Sequence, residues 1–202
     1  IHSAAKCEFL EKGFLGASLR NIVKCAGVTT GAFYGYYDSK EKLFDALVSE
    51  QYEHVMDMYM STQNSFKELE AEKQQANMGK IGGDCLEQMI DYMYANEDEF
   101  RLILMCSKGT RYENMVHEMS EVEVQATHDF VEVMRENGIE VREIDPKLEH
   151  VLVSGMFTAF FELLIHKNDI GEAKTYLEQL REFYTAGWMR LFDMYDIQKK
   201  DV

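Results

Sequence analysis

The stretch LRNIVKCAGVTTGAFYGYYDSK, residues 19–40, decides the fold of the N-terminal part of this chain. Ser18, directly before it, is a good helix N-cap, because its hydroxyl can accept a hydrogen bond from an amide of the first turn. The apolar face that follows ends at Gly27, a residue that adopts the left-handed conformation of a helix end without steric cost. Thr29 can cap a second short helix, expected over about residues 30–36. Two short helices joined by a glycine-containing turn predict a helix-turn-helix, whose second helix can enter the major groove of DNA.

Residues within this stretch and on both sides of it match one known pattern. They are Ala4-Ala5, Phe9 and Glu11-Lys12-Gly13-Phe14 in a first helix, Ser18-Leu19-Arg20, Ile22 and Ala26-Gly27-Val28 in the second helix and turn, and Gly31-Ala32-Phe33-Tyr34, Tyr36-Tyr37 and Ser39-Lys40-Glu41 beyond it. Over about its first 50 residues the chain therefore resembles the DNA-binding domain of the TetR family of transcriptional repressors. The resemblance implies an all-α fold, in which a three-helix headpiece with the helix-turn-helix is joined by a long helix to a C-terminal helical domain for ligand binding and dimerisation.

The resemblance also implies which residues contact DNA. Base edges would be met by Thr29, Thr30, Gly31 and Ala32, and the sugar-phosphate backbone by Ser18, Arg20, Tyr34, Tyr36 and Lys40. Helix N-termini suit this role, since unpaired amides and the helix dipole favour anions. Phe33 and Tyr37 are expected to pack inside the headpiece instead. Gly35 and Thr30 stand where the family often has His and a basic residue, which leaves open the bases that are read.

The charge of the chain is distributed unevenly. The sequence has 21 basic and 36 acidic residues, a formal net charge of −15, which by itself does not favour a nucleic-acid binder. Residues 1–50 carry six basic and six acidic side chains, so the whole negative excess lies in residues 51–202. Since affinity for DNA grows with each phosphate neutralised, we expect weak binding by a monomer and useful affinity from a dimer on two half-sites.

Beyond residue 50 the apolar spacing is helical throughout. We expect residues 1–48 to form the DNA-binding domain, with its motif at about 18–37, and residues 49–202 to form the second domain. The helix that starts near Lys40 should run to about Ser61, and later helices are expected over about 83–95, 97–106 and 112–136. Asp145-Pro146 is a strong start signal for the next helix, because it pairs an N-cap with proline at the first helical position. The last helix is expected over about 171–194.

The helix after Asp145 is apolar on two sides, and must therefore be covered on two sides. Its first face comprises Leu148, Val151, Leu152, Gly155, Met156, Ala159, Phe160 and Leu163, its second Val153, Phe157, Phe161 and Ile165, and the last helix adds a stripe of Leu177, Leu180, Tyr184, Trp188, Leu191 and Tyr195. We expect the same two helices of a second copy to complete a four-helix homodimer interface, as the resemblance also implies. The interface residues are expected to be Val151, Gly155, Ala159, Leu163, Leu180, Tyr184, Trp188 and Leu191. The alternative is an entirely intramolecular core.

The resemblance implies a small-molecule inducer that enters the second domain and releases DNA. The candidate pocket walls are Met89, Met93, Phe100, Met105, Tyr112, Met115, Met119, Phe130 and Phe157, although each of these could simply belong to the core. The chain has 13 methionines, and Met adapts to irregular shapes. As a group these residues favour a hydrophobic or aromatic ligand over a sugar phosphate.

Metal, cofactor and catalytic sites are not indicated. His117 and His128 share a helix face but lie about 16 Å apart at 1.5 Å per residue, and Glu149-His150 with His166 offers no better set. The sequence has no Ser/His/Asp order, phosphate loop or HExxH, so an enzyme is not expected. The longest nearly apolar run, residues 151–165, is shorter than the roughly 20 residues of a membrane span. The four cysteines lack CxxC spacing and are expected to be reduced core thiols in a cytoplasmic protein.

Two functions of different classes follow. The first is a dimeric, ligand-responsive regulator, expected to repress, that binds double-stranded operator DNA. The second is a helical module that binds a small molecule or a partner and keeps the headpiece as a scaffold. The neutral charge of residues 1–50 and the missing donors at Thr30 and Gly35 favour the second.

Overall fold

The computed structural model describes residues 1–166 and 169–194, and these residues are helical with no β-strand among them, which confirms the all-α prediction. In chain order the helices are α1 (His2–Gly16), α2 (Leu19–Cys25), α3 (Thr30–Tyr34), α4 (Lys40–Lys67), α5 (Ala71–Ala76), α6 (Lys80–Ala95), α7 (Glu97–Arg101) continued by a π-helical turn (Leu102–Cys106), α8 (Met115–Glu136), α9 (Pro146–Ile165) and α10 (Ile170–Leu191). Two compact units result. The first unit is Ile1–Met56 with Met93–Met115, and the second unit is Asp57–Tyr92 with Val116–Val202.

The caps predicted from the sequence position the helix-turn-helix in the first unit. The Ser18 hydroxyl accepts a hydrogen bond from the Asn21 amide at 3.4 Å, and the Thr29 hydroxyl accepts one from the Ala32 amide at 3.1 Å. Gly27 has φ +68°, the left-handed conformation expected at the end of α2. The headpiece core is aromatic, with the ring centroid of Phe44 5.1 Å from that of Phe9. Short capped helices on such a core form a rigid platform for α3.

The first unit also contains a segment that lies far from the headpiece in sequence. α1 packs against the π-helical turn, and Leu15 covers Gly109, where an added Cβ would lie 2.6 Å from the leucine Cδ2. Arg111 forms an ion pair with Asp45 of α4 at 3.0 Å. The unit that holds the headpiece therefore runs to Met56 and takes in Met93–Met115, whereas the sequence suggested one boundary between residues 48 and 49.

In the second unit the two apolar faces of α9 have different environments. Val153, Phe157 and Phe161 of the second face are buried, while Val151 of the first face is 64% exposed. Asp145 caps the helix through the Lys147 amide at 2.9 Å, as predicted. By length and composition alone α9 could cross a membrane, but only a third of its apolar window is buried within the chain, and a single such helix is weak evidence for a span.

Several helix ends differ from the sequence prediction. α4 continues past Ser61 to Lys67, and α8 begins at Met115 instead of residue 112. The expectation of four core thiols was wrong for two of them, since Cys85 and Cys106 are buried but Cys7 and Cys25 are exposed. Cys7 lies on an exposed face of α1 and Cys25 at the exposed end of α2, which a count of cysteines cannot reveal. Tyr195 of the predicted α10 stripe lies outside the described residues.

Candidate DNA-binding surface and ligand cavity

The recognition helix α3 presents an open surface. Residues 29–32 are exposed, as are Tyr34 at 54% and Tyr36 at 76%, whereas Phe33 is completely buried. The ring centroid of Phe33 lies 5.3 Å from that of Tyr34 and 5.7 Å from that of Tyr37. The buried phenylalanine thus anchors α3, Tyr34 packs its ring against Phe33 while about half of it stays exposed, and Tyr36 is mostly exposed. This agrees with the expectation that Phe33 and Tyr37 pack.

Lys40 has a structural role that the sequence did not indicate. Its ammonium donates to the carbonyl oxygens of Phe14 at 2.6 Å and Ala17 at 3.1 Å, and it lies 4.5 Å from the centroid of the Phe14 ring. These carbonyls belong to the end of α1, where helix carbonyls lack intrahelical partners. A lysine predicted to hold a phosphate therefore ties the end of α1 to the start of α4.

The start of α2 combines an exposed cation with a carboxylate. Arg20 in the first turn and Lys24 in the last turn are exposed, and Ser18 is half-buried. The Ser18 amide donates to the Glu8 carboxylate at 2.9 Å, and the Asn21 side-chain amide donates to the same oxygen at 3.3 Å. The Glu8 carboxylate thus lies at the start of α2, and its negative charge reduces the attraction of this helix start for a phosphate.

The second unit contains a cavity between its helices. Its volume is about 160 Å³, and it is partly open to solvent. Its aromatic lining residues are Tyr59, Phe66, Phe130, Phe157, Phe160, Tyr184, Trp188 and Phe192, and its polar ones include Thr62, Gln63, Asn77, Glu123, Thr127, Arg181 and Thr185. A site with apolar, aromatic walls and a few polar groups is the usual form of a small-molecule pocket.

A carboxylate forms the polar centre of this cavity. Glu123 of α8 accepts hydrogen bonds on Oε2 from the Tyr59 hydroxyl and from the Gln63 amide nitrogen at 2.6 Å. Burial raises the pKa of Glu123 above its ordinary value, and the two hydrogen bonds act in the opposite direction. Burial also raises the pKa of Tyr59, with the neighbouring Glu123 charge adding to the effect, so this hydroxyl stays protonated and donates.

The second charged group that lines the cavity, as far as the chain is described, is Arg181 of α10. Its guanidinium lies over Gly83, where an added Cβ would be 2.1 Å from Nε, and forms an ion pair with Asp84 at 3.5 Å. Gly79 accommodates Thr185 in the same way. The glycines of α6 and the turn before it thus allow α10 to approach closely at the wall of the cavity.

The pocket residues predicted from the sequence are mostly elsewhere. Phe130 and Phe157 line the cavity. The other seven do not: Met93, Phe100, Met105, Tyr112 and Met115 belong to the first unit, and Met89 and Met119 are completely buried. An apolar stripe at helical spacing marks a face that is covered by protein, and it does not distinguish core from cavity wall.

The residues predicted for the dimer interface remain uncovered in the single chain. None of the eight is buried: Val151 is exposed, and Gly155, Ala159, Leu163, Leu180, Tyr184, Trp188 and Leu191 are half-buried. Leu180, Tyr184 and Trp188 also line the cavity. Their stripe on α10 therefore has a second environment that the sequence analysis did not anticipate.

The structure also brings together histidines that the sequence analysis considered only in pairs along one helix. Among the described residues, His117 and Glu121 of α8 and His150 of α9 place one potential ligand atom each within 4.8 Å of the others. The His150 ring pairs with the Glu121 carboxylate at 3.4 Å. Spacing within a single helix could not reveal this group, because it spans two helices.

Comparisons with known proteins agree with this architecture. Residues 1–47 match the family model described as bacterial regulatory proteins of the tetR family. A transcriptional regulator from Aquifex aeolicus VF5 has a similar structure, with a TM-score of 0.52 and 20% identity over 90% of this chain and 93% of that one. A tetR-family regulatory protein from Rhodococcus RHA1 gives 0.58 and 14% over 95% and 94%. The fatty acid degradation regulator from Bacillus halodurans gives 0.51 and 18% over 92% and 96%. At these identities the solved structures establish a shared fold.

Proposed function

We propose that this chain is a dimeric cytoplasmic repressor that a small hydrophobic molecule releases from operator DNA. The chain belongs to the TetR family of bacterial transcriptional regulators and is not an enzyme. The observation that carries the DNA-binding part is the form of α3. The first turn of α3, its Tyr34 and the following Tyr36 are exposed, while Phe33 holds the helix on the aromatic core. Exposed tyrosines beside an open helix start are side chains of the kind that contact the sugar-phosphate backbone of DNA.

The uncovered faces of α9 and α10 support the dimer. Val151 and Leu148 on α9 and Phe183 on α10 are large apolar side chains exposed to solvent in the single chain. Burying apolar surface is the dominant favourable term in association, and a two-fold axis would pair the same faces of two copies. A dimer would also supply two recognition helices, which compensates for the neutral charge of residues 1–50.

The cavity in the second unit supports release by a ligand. It is lined mainly by apolar side chains with a few polar groups, the usual composition of a small-molecule pocket. A ligand changes DNA affinity only when it binds the two conformations with different affinities. We therefore propose that the ligand binds more tightly to the conformation that does not grip DNA.

A second function is favoured by the electrostatics of the headpiece. Lys40 caps α1, and Glu8 lies beside Ser18, so two of the groups expected at phosphates are already engaged within the protein. On this alternative the chain binds a small molecule or a partner and uses the headpiece as a scaffold.

Fluorescence anisotropy against the DNA upstream of the protein's own gene, at two salt concentrations, separates the two functions. The proposed repressor function predicts salt-dependent binding that Tyr34→Ala reduces to the level of unrelated DNA, because about half of that side chain is exposed at the expected contact with the sugar-phosphate backbone. Tyr176→Ala, which removes a similarly exposed tyrosine from α10, is the matched control and should bind as wild type. Wild-type affinity of Tyr34→Ala would contradict the proposed contact, and wild-type protein that binds unrelated DNA equally well would favour the scaffold.

A further inference from the structure

We infer that the cavity of the second unit takes a ligand with an aromatic or apolar body and a cationic nitrogen, and that the carboxylate of Glu123 binds the cation. The inference rests on the proposed function only in taking this cavity as the ligand site. It adds the chemical class of the ligand and the residue that selects it.

The first argument is the position and pairing of Glu123. Two neutral donors, the Tyr59 hydroxyl and the Gln63 amide, both bond to Oε2. The Gln63 nitrogen also lies 2.9 Å from the Tyr59 oxygen, so the three groups form one closed cluster. This arrangement directs the donors to one side of the carboxylate. Oε1 remains for a group in the cavity, which the side chain of Glu123 lines.

The second argument is charge balance. Glu123 is half-buried, and a carboxylate that loses part of its hydration is costly unless a positive charge or strong hydrogen bonds accompany it. Burial raises the pKa of Glu123, and the hydrogen bonds from Tyr59 and Gln63 lower it. Neither Tyr59 nor Gln63 carries a positive charge. Arg181, the other charged residue on the described walls, is already paired with Asp84. A cationic ligand would therefore supply the positive charge that neither hydrogen-bond partner of Glu123 provides.

The third argument is the nature of the walls. Aromatic rings from α4, α8, α9 and α10 line the same cavity as Glu123, and Tyr59 and Phe157 meet edge to face with centroids 5.5 Å apart. Ring faces attract cations as well as apolar groups, so this lining can solvate an ammonium and its hydrophobic body at once. The net charge of −15 adds a long-range field that favours the entry of cations over anions.

A pair of probes with the same body and opposite charge tests the inference. We would titrate the wild-type protein by calorimetry with a trimethylammonium that carries a phenylbutyl tail, and with the carboxylate that carries the same tail. We expect the cation to bind roughly 10- to 100-fold more tightly, the range associated with contact to a charged partner. This comparison requires no variant and so does not depend on how a substitution folds.

Two matched variants then assign the selectivity. Glu123→Gln keeps the size of the side chain and removes its charge, and we expect it to lose the preference for the cation. Glu132→Gln makes the same change at an exposed position of the same helix and should retain that preference. Thermal unfolding of both variants, compared with wild type, shows that any loss of binding occurs in folded protein.

Three results would overturn the inference: equal or tighter binding of the carboxylate probe, an unchanged cation preference in Glu123→Gln, or no binding of either probe. Operator binding by the ligand-free protein is measured separately by anisotropy. Failure of the cation inference thus leaves the DNA-binding proposal standing, and failure of DNA binding leaves the cation result intact.

Discussion

Replacing Lys40 by methionine tests the role that the structure gives to this side chain. Its ammonium donates to two carbonyls at the end of α1 and lies 4.5 Å from the centroid of the Phe14 ring. One hydrogen bond from a charged donor contributes about 1.5–3 kcal/mol, and a cation–π contact at a partly exposed site adds about 0.5–1 kcal/mol. Because the second hydrogen bond is longer and Lys40 is only half-buried, we leave it out of the sum. Lys40→Met should therefore lower the free energy of unfolding of the first unit by about 2–4 kcal/mol.

Hydrogen exchange followed by mass spectrometry measures this loss where it should occur. Peptides that cover α1 and the start of α4 should lose protection, while peptides from the second unit should not change. Lys42→Met is the matched control, because Lys42 lies two residues on, is exposed, and has only a distant ion pair with Asp45 at 3.9 Å. Exposed pairs of this kind contribute about 0–1 kcal/mol.

Equal protection in the two variants would refute the capping role of Lys40. The same variants also test the phosphate contact expected from the sequence, since two of the three ammonium donors are used inside the protein and one is left. If Lys40 also meets a phosphate, the slope of log affinity against log salt should fall by about 1 in Lys40→Met. An unchanged slope together with reduced protection would assign Lys40 to folding alone.

Three further predictions follow from the packing. Tyr112→Phe removes the hydroxyl that donates to Asp45 and should cost about 1.5–3 kcal/mol of unfolding free energy in urea titrations at neutral pH. That bond, together with the nearby Arg111, lowers the pKa of Asp45 in the folded state. The stability that the bond contributes is therefore complete above the ordinary aspartate pKa of about 3.9 and is lost as the pH falls through the lower pKa of the folded state. A difference in unfolding free energy between variant and wild type that persists in strong acid would contradict this. Val151→Glu places a charge on the exposed face of α9 and should halve the mass measured by light scattering without lowering helix content; an unchanged mass at micromolar concentration would count against the dimer. Gly83→Ala places a Cβ where the Arg181 side chain lies, so Arg181 must move away from α6, and we expect this movement to narrow the cavity and weaken binding of the phenylbutyl cation. Thermal stability should change little, because the lost contact is offset by the roughly 1 kcal/mol that a helix gains when alanine replaces glycine. Unaltered affinity would show that Arg181 moves without narrowing the cavity.

The sequence predicted the helix starts because each of them depends on local chemistry. Ser18, Thr29 and Asp145 accept hydrogen bonds from amides two or three residues ahead, so the cap and its partner lie within one short segment. Gly27 ends α2 for an equally local reason. The two apolar faces of α9 could also be predicted from the sequence, since its apolar residues cover more of the helix surface than one buried side accounts for.

The cavity could not be predicted in this way, because it is defined by what several helices leave unfilled. Met89 and Met119 share the spacing of the wall residues but are completely buried, while Gln63 and Glu123 line the cavity and carry no apolar signal. Glu123 becomes informative only when α4 is placed beside α8 and its carboxylate meets Tyr59. The packing of Met93–Met115 in the first unit depends on long-range contacts of the same kind.

These contacts also restrict how a ligand could act on the headpiece. The chain passes between the two units inside three helices, at Met56 in α4, at Tyr92 in α6 and at Met115 in α8. Tyr59 lies three residues beyond the first of these points and Glu123 eight residues beyond the third, so their hydrogen bond joins two of the three helices that run into the first unit. A cation bound at Oε1 of Glu123 would withdraw charge from the oxygen that accepts from Tyr59, and would so change how strongly α4 and α8 are held together. Coupling between ligand and DNA then requires only that this bond differ in strength between the two conformations, which is the differential interaction that any ligand-driven shift needs.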